Sequence, residues 1–80
     1  MAAVRVRFFA LLRERLGPGD ERAVPAGSTV ADVWSAVRTG HADLDELDVR
    51  FAVNERYVDP DHALADGDEL AIFPPVSGGC

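Results

Sequence analysis

The residues whose types and spacing could do chemistry lie at the end of the chain, in the run Pro74-Pro75-Val76-Ser77-Gly78-Gly79-Cys80. Glycine has no Cβ, so Gly78 and Gly79 can lie extended in a tunnel that is too narrow for any other residue. For the same reason the carbonyl carbon of Gly79 is sterically open to attack. Such a tail predicts a protein that is itself a substrate, with Gly78 and Gly79 as its candidate reactive residues.

Cys80 complicates this interpretation, because a peptide bond to it hides the carboxylate of Gly79. Three interpretations of Cys80 stay open. It is the end of a precursor that a metalloprotease cuts after Gly79, it is a residue added for labelling or crosslinking, or it carries sulfur itself as a persulfide. The precursor and the added residue are both compatible with a reactive Gly78-Gly79 pair. In the precursor, Gly79 and Cys80 form a processing site.

Length and composition favour a carrier or binding module over an enzyme. The chain has 80 residues, 48% of them hydrophobic, which is enough for one domain with one modest core. Fourteen acidic residues against eight basic ones give a net charge of −6, which opposes binding to nucleic acid and to anionic membranes. All eight of those basic residues are arginine, so no side-chain amine could accept a second carrier. The single cysteine and the charged opening segment predict a cytoplasmic protein.

Hydrophobic periodicity divides the chain into short elements. Val4, Val6 and Phe8 alternate with Arg5 and Arg7, which is the period of a half-buried strand with the arginines on its outer face. Glycine and proline runs then end the segments. The predicted order is a strand over 4–8, a short helix over 12–16, a turn over 17–20, a strand over 21–24, the main helix from 29 to 40, an acidic loop over 41–48, strands over 49–53 and 57–58 joined by a turn over 54–56, and a last strand over 70–73.

The main helix has the clearest signals. Thr29 can cap it, Asp32 completes the capping-box spacing, and Gly40 is its natural stop. Its hydrophobic stripe has helical spacing and consists of Val30, Val33, Trp34 and Val37.

The order strand, strand, helix and two or three further strands is that of the β-grasp, the ubiquitin-like fold. We therefore predict an α+β domain over residues 1–73, with a mixed sheet of four to five strands and one main helix, followed by a flexible tail over 74–80. In this fold the first strand lies beside the last in the middle of the sheet. Trp34 and Val37 should then pack on the same core as Val6 and Ile72.

Apolar residues near the tail predict a docking surface. Phe8 belongs to the core by its parity, whereas Phe9 lies on the opposite face, either in an apolar docking surface or packed under the first helix. Phe73 and Val76 flank the exit of the tail, where a partner could cover them. The candidate partner-binding residues are Phe9, Phe73, Pro74, Pro75 and Val76.

The two histidines do not predict a metal site. We interpret His41 and His62 as solvated loop residues. Asp59 and Asp61 crowd the same turn as His62, but the three lack a convincing set of metal ligands.

Segments in fixed order along nearly the whole chain carry a family resemblance. They are Val6-Arg7-Phe8-Phe9-Ala10-Leu11-Leu12-Arg13-Glu14, Thr29-Val30, Phe51-Ala52-Val53-Asn54, Leu64, Gly67-Asp68-Glu69-Leu70-Ala71-Ile72-Phe73 and Pro74-Pro75-Val76-Ser77-Gly78-Gly79. Together they resemble the MoaD family, the small subunit of molybdopterin synthase. The thiamine sulfur carrier ThiS is similar in fold, but its tail typically lacks the Pro-Pro-Val-Ser run. Cys80 departs from the pattern, because the family normally ends at the second glycine.

The resemblance implies a sulfur carrier that is not catalytic alone. An E1-like adenylating enzyme of the MoeB type would use ATP and Mg²⁺ to convert the Gly79 carboxylate into an acyl adenylate, and sulfur would then replace AMP. A large synthase subunit of the MoaE type would accept the tail, and the Gly79 thiocarboxylate would attack an activated carbon of the pterin precursor. The carrier itself would bind no cofactor and no metal.

Other functions remain open beside this one. A ubiquitin-like modifier would use the same tail and the same activation to reach lysines of target proteins through Gly79. A sulfur carrier for another pathway would share the thiocarboxylate, and a pure interaction module would have an inert tail. Covalent adducts in cells and an ATP-dependent activation assay separate these possibilities.

Overall fold

The secondary-structure elements follow one another in the predicted order. The structure is a computed structural model that describes residues 1–44 and 47–74, and within these it has five strands, two helices and one 3₁₀ turn. The elements are β1 (Ala2–Phe8), α1 (Ala10–Leu16), β2 (Gly19–Val24), α2 (Val30–Arg38), the 3₁₀ turn (Ala42–Leu44), β3 (Arg50–Val53), β4 (Arg56–Val58) and β5 (Glu69–Phe73).

The sheet is mixed, and its strand order is β2-β1-β5-β3-β4. Strand β1 runs parallel to β5, while β1 with β2, β3 with β5 and β3 with β4 are antiparallel. The first strand therefore lies beside the last in the interior of the sheet, as predicted. An α+β domain with one main helix on a mixed sheet confirms the β-grasp fold.

The core lies between the sheet and α2. Side chains of β1 alternate between buried and exposed along the whole strand, and Val6 is fully buried. Trp34 and Val37 of α2 belong to the same buried cluster as Val6 and Ile72, which confirms the predicted packing. Burying such side chains contributes about 1.5 to 3 kcal/mol each.

The opposite face of the sheet carries none of this core and is called the open face below. Alternation places Arg7, Ala71, Ala52 and Tyr57 side by side across β1, β5, β3 and β4. Arg5 and Arg7 are exposed there, as expected. Each has an acidic neighbour, with Arg5 3.5 Å from Glu21 and Arg7 3.8 Å from Glu69.

Several boundaries differ from the prediction by one or two residues, and two of these differences involve turns. Strand β2 begins at Gly19, inside the predicted turn over 17–20, because glycine can adopt the φ of +140° that lets it pair with Arg7. The turn between β3 and β4 contains two residues, Asn54 and Glu55, and not three. Both have a positive φ, of 51° and 71°, as a two-residue type I′ hairpin requires.

The amino end of α2 donates its backbone N–H groups within the fold. The N–H of Val30 donates to the carbonyl of His62 at 3.0 Å, and that of Ala31 to the carbonyl of Pro60 at 2.8 Å. The predicted capping box is present, since the N–H of Asp32 donates to Oγ1 of Thr29 and the N–H of Thr29 donates to the Asp32 carboxylate. Loop 59–63 is thereby bound to the helix. Within residues 1–44 and 47–74, no helix has the length and apolar character needed to span a membrane.

Candidate functional site

The chain leaves the sheet from the end of an interior strand. Strand β5 ends at Phe73 with β1 on one side and β3 on the other, and Pro74 follows it half-buried. Proline has no N–H to extend the sheet, so this is a natural end of the strand. The rest of the predicted tail, residues 75–80, lies outside the described residues, and the roles predicted for Pro75, Val76, Gly78, Gly79 and Cys80 stay predictions.

Three aromatic rings lie together where the chain leaves the sheet. The rings of Phe9 and Phe73 are stacked, with centroids 4.7 Å apart and an interplanar angle of 17°. The ring of Tyr57 lies 6.0 Å from that of Phe73 and is tilted by 50°. Both distances are in the range in which aromatic pairs attract one another. We call Phe9, Tyr57 and Phe73 the aromatic cluster.

A local backbone feature places Phe9 beside the exit. Ala10 has a φ of +52°, a left-handed conformation that costs a non-glycine residue about 1 to 2 kcal/mol. The chain turns there from β1 into α1, and the N–H of Leu12 donates to the carbonyl of Phe9 at 3.1 Å. The sequence allowed Phe9 either in an apolar docking surface or packed under the first helix. In the structure Phe9 is half-buried at the start of α1, and its ring is stacked on Phe73.

Tyr57 was not among the predicted site residues. Its exposed fraction is 78%, which is high for an aromatic side chain that contacts another ring. In the sheet it lies opposite Ala52, and Ala52 lies opposite Ala71, so small side chains separate Tyr57 from Arg7 on the open face. The predicted turn of three residues would place Tyr57 on the core face of the sheet, because each added turn residue moves the side chains of β4 to the opposite face. A two-residue turn at Asn54 and Glu55 would have placed Tyr57 on the open face from sequence alone.

A cation borders the cluster. The guanidinium carbon of Arg7 lies 5.4 Å from the centroid of the Phe9 ring, within the range of a cation–π contact. Tyrosine, phenylalanine and arginine side chains are enriched at protein interfaces, and tyrosine and arginine are enriched among the residues that dominate binding energy.

The described part of the chain offers a docking surface at the aromatic cluster. Among residues 1–44 and 47–74, no three His, Cys, Asp or Glu side chains come together as metal ligands would. His62 is exposed, and its backbone carbonyl is engaged by α2. The geometry can hold a partner against the aromatic cluster, at the end of β5 and next to Pro74.

The sequence matches the ThiS family over residues 6–79. It is 37% identical to the molybdopterin synthase sulfur carrier subunit of Chlamydomonas reinhardtii, over 95% of this chain and 98% of that protein. The subunit of the same name from Escherichia coli strain K12 is also 37% identical, over 95% of this chain and 99% of that protein.

Solved structures show the same fold. A molybdopterin converting factor subunit 1 from Pyrococcus furiosus superposes with a TM-score of 0.83 at 34% identity, over 95% of this chain and 100% of that one. Small archaeal modifier SAMP1 from Haloferax volcanii superposes with a TM-score of 0.79 at 31% identity, over 98% and 100%. A chain in the complex of subunits 1 and 2 of the Helicobacter pylori molybdopterin-converting factor superposes with a TM-score of 0.59 at 28% identity, over 96% of this chain and 99% of that one.

Proposed function

The chain belongs to the ThiS family, and on that premise we propose that it is the sulfur carrier subunit of a molybdopterin synthase, with the sulfur held as a thiocarboxylate on Gly79. The observation that carries the proposal is the position of the aromatic cluster at the end of β5, directly before the segment that contains Gly78 and Gly79. A partner that covers the cluster also receives the tail.

Activation begins at the carboxylate of Gly79, which is a poor electrophile. An E1-like adenylating enzyme of the MoeB type binds the ATP and Mg²⁺, a carboxylate oxygen attacks the α-phosphorus, and pyrophosphate leaves. A sulfur nucleophile then attacks the Gly79 carbonyl carbon and displaces AMP. The carrier contributes no acid, base or metal to these steps. Its tail reaches into the enzyme, and its folded surface determines which enzyme accepts it.

Delivery uses the same surface. The large synthase subunit, of the MoaE type, covers the aromatic cluster and takes the tail into its own active site, where the thiocarboxylate attacks an activated carbon of the pterin precursor. The complex of the two Helicobacter pylori subunits supports a partner of this kind. A reactive group on a tethered tail is present at high effective concentration in whichever site the carrier occupies.

A free Gly79 carboxylate requires that Cys80 be removed. In our proposal a metalloprotease of the kind that trims ubiquitin-like tails hydrolyses the bond after Gly79. The two glycines before this bond have no side chains to obstruct an extended substrate cleft.

The experiment that tests the function follows sulfur through both steps. The form that ends at Gly79 is incubated with the activating enzyme, ATP, Mg²⁺ and a sulfur donor, and its intact mass is measured. We expect the mass change of one oxygen replaced by one sulfur, and its reversal when the large subunit and the pterin precursor are added. A carrier that is adenylated but never gains sulfur would contradict the proposal.

A second candidate function is protein modification, which the similarity to the Haloferax volcanii modifier favours. The activated Gly79 would then be transferred to lysines of other proteins. This chain has no lysine of its own, so its side chains could not be extended into polymers. Covalent adducts larger than the free protein in its native cells would support this function, whereas thiocarboxylate alone supports the sulfur carrier.

Replacing Phe73 by aspartate should weaken binding to the large subunit by about 1 to 4 kcal/mol, the range measured for anchors at interface centres. The substitution removes the ring that contacts both Phe9 and Tyr57 and adds a charge at the centre of the surface. Titration calorimetry with the large subunit gives the affinity, and circular dichroism reports whether the variant is folded.

Two further variants separate docking from folding. Tyr57→Ser removes a highly exposed ring, so it should weaken binding with little loss of stability. Ala31→Asp introduces the same charge as Phe73→Asp on an exposed position of α2, on the other side of the sheet, and should leave affinity unchanged. Equal affinity for all four proteins would move the interface away from the aromatic cluster.

A further inference from the structure

Arg7 has two neighbours, an aromatic ring and a carboxylate, which interact with its guanidinium in different ways. Its guanidinium is 5.4 Å from the Phe9 ring of the aromatic cluster, and one of its terminal nitrogens is 3.8 Å from Oε1 of Glu69. The second distance is too long for a hydrogen bond, which requires about 2.7 to 3.2 Å. An exposed ion pair of this kind contributes only about 0 to 1 kcal/mol. Arg7 is therefore held loosely in the free protein.

The two members of this pair are not equally available to a partner. The side chain of Arg7 is 53% exposed, whereas that of Glu69 is 34% exposed. Glu69 also lies opposite Arg5 in the ladder between β1 and β5, two residues farther from the aromatic cluster than Arg7. A surface that approaches the cluster over the open face consequently meets the cation before it meets the carboxylate.

Docking changes the electrostatics of Arg7. A partner that covers the Phe9 ring must also remove water from the guanidinium beside it. Covering a charge without supplying a counter-charge is costly, and a guanidinium has five N–H donors to satisfy. A planar carboxylate can accept two of these in parallel, which the distant Glu69 carboxylate does not do.

We propose that Arg7 selects a partner surface that carries an acidic group. When the large subunit covers the aromatic cluster, Arg7 leaves Glu69 and pairs with a carboxylate of that subunit. This inference rests on the proposed function, and it adds the chemical character of the accepting surface. That surface presents an apolar hollow for the rings with an acidic group at its edge. Glu69 competes with the acidic group in the free carrier.

The proposal gives two substitutions with opposite signs. Arg7→Gln removes the cation and should slow association with the large subunit about 3- to 10-fold at low salt, because charges at the edge of an interface act mainly on the association rate. Glu69→Gln removes the internal competitor and should speed association about 2- to 5-fold. Arg7→Lys keeps the charge and should retain most of the wild-type rate. All differences should shrink at about 0.5 M salt, where screening is strong.

The pair Arg5 and Glu21 provides the matched control. It lies on the same face at a similar distance of 3.5 Å, but Arg5 is two residues, or about 7 Å, farther along β1 from Phe9. Arg5→Gln and Glu21→Gln should each change the association rate less than 2-fold. Rates are measured by stopped-flow fluorescence with a labelled large subunit, after thermal unfolding has shown that each variant is folded.

The outcomes distinguish this inference from the function on which it rests. Slower association of Arg7→Gln together with faster association of Glu69→Gln supports it. Rates that match wild type, or both effects with reversed sign, overturn the role of Arg7 while the weak binding of Phe73→Asp leaves the docking surface in place. Failure of the wild-type carrier to bind the large subunit at all overturns both.

Discussion

Pyrophosphate exchange by the activating enzyme is expected with the form that ends at Gly79 and not with the 80-residue form. The first step of activation needs a free carboxylate oxygen to attack ATP. In the longer form the carbonyl of Gly79 is part of an amide bond to Cys80, so the free carboxylate belongs to Cys80 and lies one residue beyond the position at which the enzyme is expected to hold that of Gly79. We therefore expect measurable pyrophosphate exchange with the form that ends at Gly79 and none with the 80-residue form. Exchange of labelled pyrophosphate into ATP measures it directly.

A third form makes this comparison sharper. A chain that ends at Gly78 also has a free carboxylate, but its tail is one residue shorter than that of the Gly79 form. Exchange by the Gly79 form alone would show that both the carboxylate and its reach are needed. Full exchange by the intact form, with Cys80 confirmed by mass before and after, would require a mechanism centred on Cys80.

Replacing Gly19 by alanine should destabilise the fold by about 2 to 4 kcal/mol, above the usual range for overpacking because the contact is with backbone. A Cβ at this position would lie 2.1 Å from the carbonyl oxygen of Val6 and 3.0 Å from the Cα of Arg7. Both atoms belong to β1, which cannot swing aside as a side chain could. At about 4 to 8 °C per kcal/mol for a domain of this size, the melting temperature should fall by roughly 8 to 32 °C.

Gly67→Ala provides the control for this substitution. Gly67 also has a positive φ, of +88°, but a Cβ there would have no atom within 4 Å. Its cost should be limited to backbone strain, about 1 to 2 kcal/mol. Urea denaturation of both variants gives the free energies of unfolding. Equal losses would mean that β1 and β2 can separate locally without cost to the rest of the sheet.

The fold was predictable because its local signals agree with one another. Thr29 and Asp32 form the capping box that their spacing indicates, and the alternation of β1 sets the two faces of the sheet. The pairing of β1 with β5 depends on contacts between residues far apart in sequence. It followed from recognising the order of elements and not from any local pattern.

The candidate site was only partly predictable. Phe9 and Phe73 were identified from their positions near the ends of strands, but their stacking depends on the turn at Ala10, whose left-handed conformation an alanine does not indicate. Tyr57 was missed because one residue in the length of a turn reverses the face on which a side chain lies. The loose pairing of Arg7 with Glu69 has no sequence signal, because it is a distance across the sheet. The contact of Arg7 with Phe9, two residues farther along the chain, depends on the turn at Ala10.

The bonded amino end of α2 has a consequence for the handling of nucleotides. Free N–H groups at the start of a helix, together with the helix dipole, commonly form an anion site for phosphate. In this protein the N–H groups of Val30 and Ala31 donate to carbonyls of loop 59–63, and that of Asp32 donates to Thr29. The start of α2 thus has no such groups to offer a triphosphate. In the proposed activation, charge neutralisation of the nucleotide would fall to the activating enzyme, and the released AMP would gain no binding site on the carrier from this helix.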